Sequence, residues 1–351
     1  MPDELRLILA FGLAASLTLV TVPVAVRIAR RTNFLDHPVG YKGHGRPTPY
    51  LGGVAVMAAF VPAALLTAEG LADFGAIVGC ALAFCAIGTL DDRIGLGPGV
   101  RVAAEVGAAV VLWESGIGWH LFDSELISFL ITLLWVVGVV NAFNLMDNAD
   151  GAAGSVGLAS ALGVAALALI QDHVVLAAIA LALAGACGGF LIFNLQKPAR
   201  LFLGDGGSMP VGFLIAALIL AAPGTETTGT EVLLAMALFA ALPILDTTLV
   251  TFSRVRRGAP VMQGGRDHLT HRLHEWLGSY QAVALVLAMS QAGLCAIGIA
   301  LFEAGPTAIV VGAVCYVVAG AGVIALLERP FGRPRPQRSV SAQPAQQESG
   351  P

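Results

Sequence analysis

Long apolar runs separated by short polar segments dominate the chain from its first residues almost to its end. A helix needs about 20 apolar residues to cross the hydrocarbon core of a bilayer. The period-two alternation of a membrane β-barrel is absent from these runs, and backbone groups in hydrocarbon must be satisfied within the segment. We therefore predict eleven helical spans near residues 5–28, 51–68, 74–90, 101–119, 126–146, 152–170, 174–193, 208–222, 231–252, 280–302 and 306–327.

The composition supports a membrane protein and excludes several other classes. Only 12% of the 351 residues are charged, whereas soluble domains carry about 25%. We therefore predict an all-α polytopic integral membrane protein, and not a soluble enzyme, a nucleic-acid binder or a disordered chain. Residues 1–328 form the predicted membrane domain, and residues 329–351, rich in Pro, Gln, Ser and Arg, form a predicted disordered cytoplasmic tail.

The basic residues are confined to one set of loops. Eighteen of the 19 Lys and Arg residues follow an odd number of predicted spans, and only Arg6 lies on the other side. The positive-inside rule then predicts an outside N-terminus and a cytoplasmic C-terminus. The expected location is the cell (plasma or inner) membrane.

Carboxylates cluster at the predicted cytoplasmic ends of the spans. Asp91 and Asp92 end the third span, and adjacent carboxylates there suit a divalent cation or proton acceptance near phosphate; a solvated helix end is the alternative. Asn144, Asp147 and Asp150 follow the fifth span at intervals of three, so on a continuing helix they would share one face; a polar turn is the alternative.

A glycine-rich segment around Asp205 precedes the eighth span. Glycines on both sides of this carboxylate allow the backbone to approach an anionic ligand closely. The segment lacks the Gly-Lys-Ser/Thr spacing of a P-loop.

Two further loops and one buried carboxyl carry candidate chemistry. The last cytoplasmic loop combines Arg with His, which suits phosphate recognition; a merely basic loop would not explain the His residues. Asp246 lies inside a span and is either functional or hydrogen-bonded to Thr247 or Thr248. The first loop is dense in Pro and Gly, which predicts an irregular ordered loop.

Taken in order along residues 1–327, these motifs resemble the polyprenyl-phosphate N-acetylhexosamine-1-phosphate transferase family. The resemblance implies a membrane enzyme that transfers a HexNAc 1-phosphate, first of all GlcNAc 1-phosphate, from a UDP-sugar to a polyprenyl phosphate. The products would be polyprenyl-diphosphate-HexNAc and UMP, in the first membrane step of a cell-envelope glycan pathway. The implied cofactor is Mg²⁺, with Mn²⁺ as a substitute. The expected partners are both substrates and the lipid bilayer, with a homodimer as an open option and no nucleic acid.

The resemblance also implies roles for particular residues. Those expected in catalysis are Asp91, Asp92, His268 and His271. The expected metal ligands are Asp205 and Asp92. Those expected to bind substrate are Lys42, His44, Asn144, Asp147, Asp150, Arg266 and Arg272.

The sequence departs from the family pattern at three positions, one of which is Tyr41, where many members carry Arg. Thr270 stands where GlcNAc-type enzymes usually carry a His, and Asn148 stands where many members carry Gly. Three consecutive His residues, usual in the phospho-N-acetylmuramoyl-pentapeptide transferases, are absent, which favours the HexNAc branch over that alternative. A multi-helix transporter with Asp246 on an ion path is the alternative from another class.

Overall fold

The computed structural model describes residues 1–37, 47–68, 74–222, 231–262 and 264–331, and helices dominate these ranges. Lys42 and His44 lie outside the described residues. The α-helices are α1 Asp3–Arg31, α2 Gly52–Thr67, α3 Gly75–Ile94, α4 Pro98–Glu114, α5 Glu125–Met146, α6 Ala152–Ile170, α7 Val174–Asn194, α8 Asp205–Ala221, α9 Glu231–Ala237, α10 Ala241–Arg257, α11 Leu269–Leu277, α12 Tyr280–Ala304 and α13 Pro306–Phe331.

Each of the eleven predicted apolar runs coincides with helix in these ranges. In the described part of the chain, eight helices are long and apolar enough to cross a membrane by length and composition. The apolar helices α2 and α8 are shorter, with 16 and 17 residues. The prediction of an all-α polytopic membrane protein is therefore confirmed at this level.

The ninth predicted run is interrupted at Leu238–Ala240, a 3-10 turn between α9 and α10. Gln291 of α12 compensates for the interruption, since its Nε2 donates to the Leu238 carbonyl at 2.9 Å and its Oε1 accepts from the Leu242 N–H at 3.1 Å. Such bonds are needed because unpaired backbone groups in hydrocarbon are costly. Because of this break, the helix that carries Asp246 begins at Ala241, as α10.

Helix α8 forms the centre of the bundle. Every residue from 206 to 220 is buried, and the helix packs mainly against α3, α5, α2 and α6. The end of α3 and the end of α5 meet the start of α8, so three helix termini lie at one face of the bundle. Residues from distant parts of the sequence converge there.

A two-stranded antiparallel sheet lies beside this face. Strands β1 (Leu35–Asp36) and β2 (Thr48–Pro49) pair Leu35 with Pro49 and Asp36 with Thr48. The Phe202 N–H donates to the Pro49 carbonyl at 2.9 Å. The sheet thereby connects the first loop to the segment that leads into α8.

Candidate active site

Two aspartates hold the backbone at the start of α8. The Asp92 carboxylate accepts the Asp205 N–H on Oδ1 at 3.0 Å and the Gly206 N–H on Oδ2 at 3.1 Å. The Asp147 carboxylate accepts the N–H of Gly204. Three successive amides at a helix N-terminus, where donors are otherwise unpaired and the dipole is positive, are thus bonded to carboxylates. This arrangement fixes the position of Asp205.

Glycines allow two helices to approach this segment at backbone distance. A Cβ at Gly88 of α3 would lie 2.2 Å from the Asp205 carbonyl oxygen, and a Cβ at Gly53 of α2 would lie 2.1 Å from the Gly207 nitrogen. The Gly53 N–H also donates to the Leu203 carbonyl at 2.9 Å. The Asp205 segment is therefore held between α2 and α3 with no room for side chains at these points.

The Asp205 carboxylate is held from two sides. Asn144 at the end of α5 donates from Nδ2 to Asp205 Oδ1 at 2.8 Å and to Ser208 Oγ at 3.0 Å. Arg101 of α4 places Nη1 at 3.2 Å from Asp205 Oδ2 and at 3.2 Å from Asp91 Oδ2. Arg101 was not predicted as a site residue, because it stands as one cation at the start of an apolar run.

The carboxylates repel one another. The pKa of Asp147 is raised well above its usual value, first by burial and then by the negative charges of Asp205, Asp92 and Asp150. The pKa of Tyr50 is raised as well, first by burial and then by the negative charges of nearby carboxylates, among them Asp92 and Asp147. A cation bound among these carboxylates would reduce their repulsion and favour their ionised forms. Tyr50 is a second residue that sequence reasoning did not identify.

The predicted His residues lie at the start of α11. His268 Nδ1 lies 2.8 Å from Asp246 Oδ2, and the Leu269 N–H donates to Asp246 Oδ1 at 2.6 Å. The alternative in which Asp246 bonds Thr247 or Thr248 is therefore wrong. The ring centroids of His268 and His271 are 6.3 Å apart.

A hydrogen bond joins α11 to the turn that follows α5. The Thr270 hydroxyl donates to Asn148 Oδ1, and Asn148 follows Asp147 directly in the chain. Two of the positions at which the sequence departs from the family pattern are thus in contact. Through this contact the helix that carries His271 is joined to the residue that follows Asp147.

Asp267 organises the basic residues that precede α11. It accepts Nε and Nη2 of Arg254 at 3.0 and 2.8 Å and Nη2 of Arg257 at 2.7 Å. Burial raises the pKa of Asp267, but the two guanidinium groups outweigh it and lower that pKa to about 2. Burial, together with the charges of Arg266 and His268, lowers the pKa of His271 to about 4. His271 is therefore a neutral hydrogen-bonding group at pH 7.

Arg272 and Arg266 have different surroundings. Arg272 is buried and donates from Nη1 to Glu328 Oε1 at 2.7 Å, from Nη2 to Ser253 Oγ at 3.1 Å and from Nε to the Asp267 carbonyl at 2.8 Å. Arg266 is exposed and lines a cleft of about 280 Å³ beside Asp267. The position of Arg272 favours a structural link between α11 and α13, whereas Arg266 is open to a ligand.

The structure brings most of the predicted residues into two neighbouring groups. The first group surrounds the start of α8 and contains Asp91, Asp92, Asn144, Asp147 and Asp205. The second precedes and begins α11 and contains Arg266, His268 and His271. Asp150 lies close enough to Asp147 to affect its pKa. Because α5 ends at Met146 and a turn follows, Asp147 and Asp150 lie in the polar turn that was the alternative to a continuing helix.

The donor set fits magnesium chemically. Carboxylate and amide oxygens surround the start of α8, and Mg²⁺ is usually bound by one or two carboxylates together with water and substrate phosphates. Among the described residues, no group of three His, Cys, Asp or Glu side chains is arranged as a metal site. The Asp205 N–H donates to Asp92 Oδ1, and the Asp205 carboxylate is hydrogen-bonded to that of Asp91.

The fold and this site define the class of the protein: a polytopic helical membrane protein with an acidic, glycine-lined centre at the ends of its helices. The family model for Glycosyl transferase family 4 matches residues 74–222, which include Asp91, Asp92, Asn144, Asp147 and Asp205.

Similar proteins extend the match over nearly the whole chain. The chain is 31% identical to the "Decaprenyl-phosphate N-acetylglucosaminephosphotransferase" of Mycolicibacterium smegmatis, over 95% of this chain and 92% of the relative. It is 28% identical to the "Probable undecaprenyl-phosphate N-acetylglucosaminyl 1-phosphate transferase" of Bacillus subtilis, over 82% and 83%. It is 33% identical to the "Phospho-N-acetylmuramoyl-pentapeptide-transferase" of Heliobacterium modesticaldum, over 61% and 74%. The chain belongs to the polyprenyl-phosphate N-acetylhexosamine-1-phosphate transferase family.

Proposed function

We propose that the protein transfers GlcNAc 1-phosphate from UDP-GlcNAc to a polyprenyl phosphate, which gives polyprenyl-diphosphate-GlcNAc and UMP. The observation that carries this proposal is the convergence of Asp92, Asn144 and Asp147 on the segment of Asp205, at the ends of membrane helices. A lipid phosphate and a soluble nucleotide sugar can both reach such a place. The names of the relatives from M. smegmatis and B. subtilis support the same reaction.

In the proposed reaction an oxygen of the lipid phosphate attacks the β-phosphorus of the UDP-sugar. The bond from that phosphorus to the bridging oxygen breaks, and UMP leaves with the electron pair. Mg²⁺ held by Asp205 and Asp92 would neutralise phosphate charge. Asn144 and the N–H bonds to Asp92 hold the Asp205 carboxylate in place, while Arg101 keeps Asp91 oriented toward the same point.

The residues around α11 complete the proposed site. The exposed guanidinium of Arg266 suits the diphosphate, because Arg forms paired hydrogen bonds with phosphate oxygens. His268 and His271 would contact the diphosphate or the sugar. Because its pKa lies near 4, His271 would do so as a neutral imidazole.

The proposal includes a topology. All eleven apolar runs cross the membrane, with the N-terminus outside and the C-terminus in the cytoplasm, because the basic residues lie in alternate loops. The site then faces the cytoplasm, where UDP-sugars are available. The membrane is the cell (plasma or inner) membrane.

A transfer assay with purified protein tests the reaction. Labelled UDP-GlcNAc, a polyprenyl phosphate and Mg²⁺ should yield a lipid-linked diphosphate sugar and an equal amount of UMP, and EDTA should stop the reaction until Mg²⁺ or Mn²⁺ is added. Asp205→Asn should abolish transfer. The matched control is Asp172→Asn, an exposed position with φ of 59° that Asn also adopts. Product from UDP-MurNAc-pentapeptide instead of any UDP-HexNAc would assign the chain to the other branch.

The acceptor dependence of UMP release tests the mechanism. We favour direct attack, since a metal-held phosphate is an adequate nucleophile. In the absence of polyprenyl phosphate, direct attack predicts no UMP. A burst of UMP equal to the amount of enzyme would instead indicate a phospho-enzyme on an aspartate. A transporter would release no UMP in either case.

A further inference from the structure

Asp246 forms a buried hydrogen-bonded pair with His268. The Asp246 side chain is 0% exposed and that of His268 is 5% exposed. The Nδ1 of His268 lies 2.8 Å from Asp246 Oδ2, and the Leu269 N–H donates to Asp246 Oδ1 at 2.6 Å. Both carboxylate oxygens are therefore occupied, one by the imidazole and one by the first amide of α11.

This contact selects one tautomer of the imidazole. An ionised carboxylate can only accept hydrogen bonds, so with Asp246 ionised the Nδ1 atom of His268 carries the proton that lies between them. The Nε2 atom of the neutral ring is then the unprotonated nitrogen. The bond to the Leu269 N–H fixes Asp246 relative to the start of α11, so the ring cannot rotate without losing its partner.

The pair lies beside the candidate active site. Thr270, two residues after His268, bonds Asn148, the neighbour of Asp147. Arg266, His268, Asp246 and Asp267 all act on the pKa of His271, which places them around one imidazole. His268 therefore immediately precedes a helix that is hydrogen-bonded to the residue after Asp147.

We propose that Asp246 is a positioning residue for the transfer reaction, which keeps His268 in the tautomer whose Nε2 accepts a hydrogen bond or a proton from the substrates. The proposal rests on the proposed function. It makes the carboxyl in α10 part of the active site, although it lies within a membrane span.

The test compares Asp246→Asn with wild type in the transfer assay. Asn retains the shape and an oxygen for the Leu269 N–H, but it presents an N–H₂ donor to Nδ1 and so favours the opposite tautomer. We expect kcat to fall about 100-fold or more, since general acid–base catalysis contributes about 100- to 10,000-fold to a rate. We expect KM for UDP-GlcNAc to change by less than about three-fold, because a tautomer change leaves most substrate contacts intact. Thr248→Val, on the exposed side of the same helix, is the control and should retain wild-type kcat.

A double variant separates positioning from a structural role. If Asp246 acts through His268, Asp246→Asn should have almost no further effect on kcat in a His268→Ala background. An equal loss of kcat in both backgrounds, or wild-type kcat in Asp246→Asn, overturns the proposal. Wild type that forms no lipid-linked sugar with any UDP-HexNAc overturns the proposed function, and this proposal with it.

Discussion

Gly88→Ala is expected to inactivate the enzyme without altering any charged or polar side chain. The Cβ added to α3 would lie 2.2 Å from the Asp205 carbonyl oxygen and 2.4 Å from its carbonyl carbon, whereas ordinary contacts begin at 3.4 Å. Because the nearest atoms are backbone, no side chain can rotate away. The Asp205 segment must move by about 1 Å, and a displacement of that size can cost about 100-fold in rate.

The effect on stability should be much smaller than the effect on activity. Overpacking costs about 1–3 kcal/mol, while replacing Gly by Ala inside a helix gains about 0.5–1 kcal/mol. We therefore expect a net loss of about 1–2 kcal/mol, visible as a modest fall in melting temperature, together with a fall in kcat of about 100-fold. The assay measures UMP release and the melting temperature of the same purified samples.

Gly79→Ala provides the control on the same helix. A Cβ at Gly79 meets nothing within 4 Å, so this variant should keep full activity and be slightly more stable. If Gly88→Ala turned over substrate at the wild-type rate, the close approach of α3 would not position Asp205, and the reasoning would be refuted.

Three further variants test other parts of the site. Asp92→Ala removes the acceptor for the Asp205 and Gly206 N–H groups and should lower stability by about 0.5–2 kcal/mol as well as abolish transfer, as measured by melting temperature and UMP release. His271→Gln should remove a pH dependence of stability. Because the pKa of His271 is depressed to about 4 in the folded state, wild type loses stability as pH falls from about 6.5 toward 4, by about 1 kcal/mol at pH 5 after solvent screening. The melting temperature of the variant should therefore fall less than that of wild type between pH 7 and pH 5. An unchanged pH dependence would contradict this. Arg272→Met removes the buried partner of Glu328 Oε1 but leaves Arg256 at 2.7 Å from Oε2, so it should cost about 1–3 kcal/mol, and Arg272→Met combined with Glu328→Leu should recover much of the loss.

The apolar runs predicted the helices well because burial in a bilayer imposes a continuous hydrophobic pattern on the sequence. The carboxylates of the first group were also predicted, since polar residues at the ends of apolar runs have few structural reasons to be there. Asp92 and Asp205 lie 113 residues apart, yet each was predicted from its local motif alone.

The partners of these residues could not be predicted in the same way. Arg101 bridges Asp91 and Asp205 from a helix whose local sequence shows only one isolated cation. Asp246 was recognised as unusual within a span, but its nearest hydroxyls in sequence were the wrong partners, because the packing of α10 directs it toward His268 on α11. Sequence spacing describes neighbours along one helix, whereas these bonds join different helices.

The contact between Thr270 and Asn148 also bears on the exchange of segments between relatives. Each residue replaces the one common in the family, and together they form the hydrogen bond that joins α11 to the turn after α5. A chimaera that takes the segment around α11 from a relative with His at position 270 would place that His against Asn148, and one that takes the turn from a relative with Gly at position 148 would leave Thr270 without its acceptor. Functional exchange should therefore require both segments from the same parent.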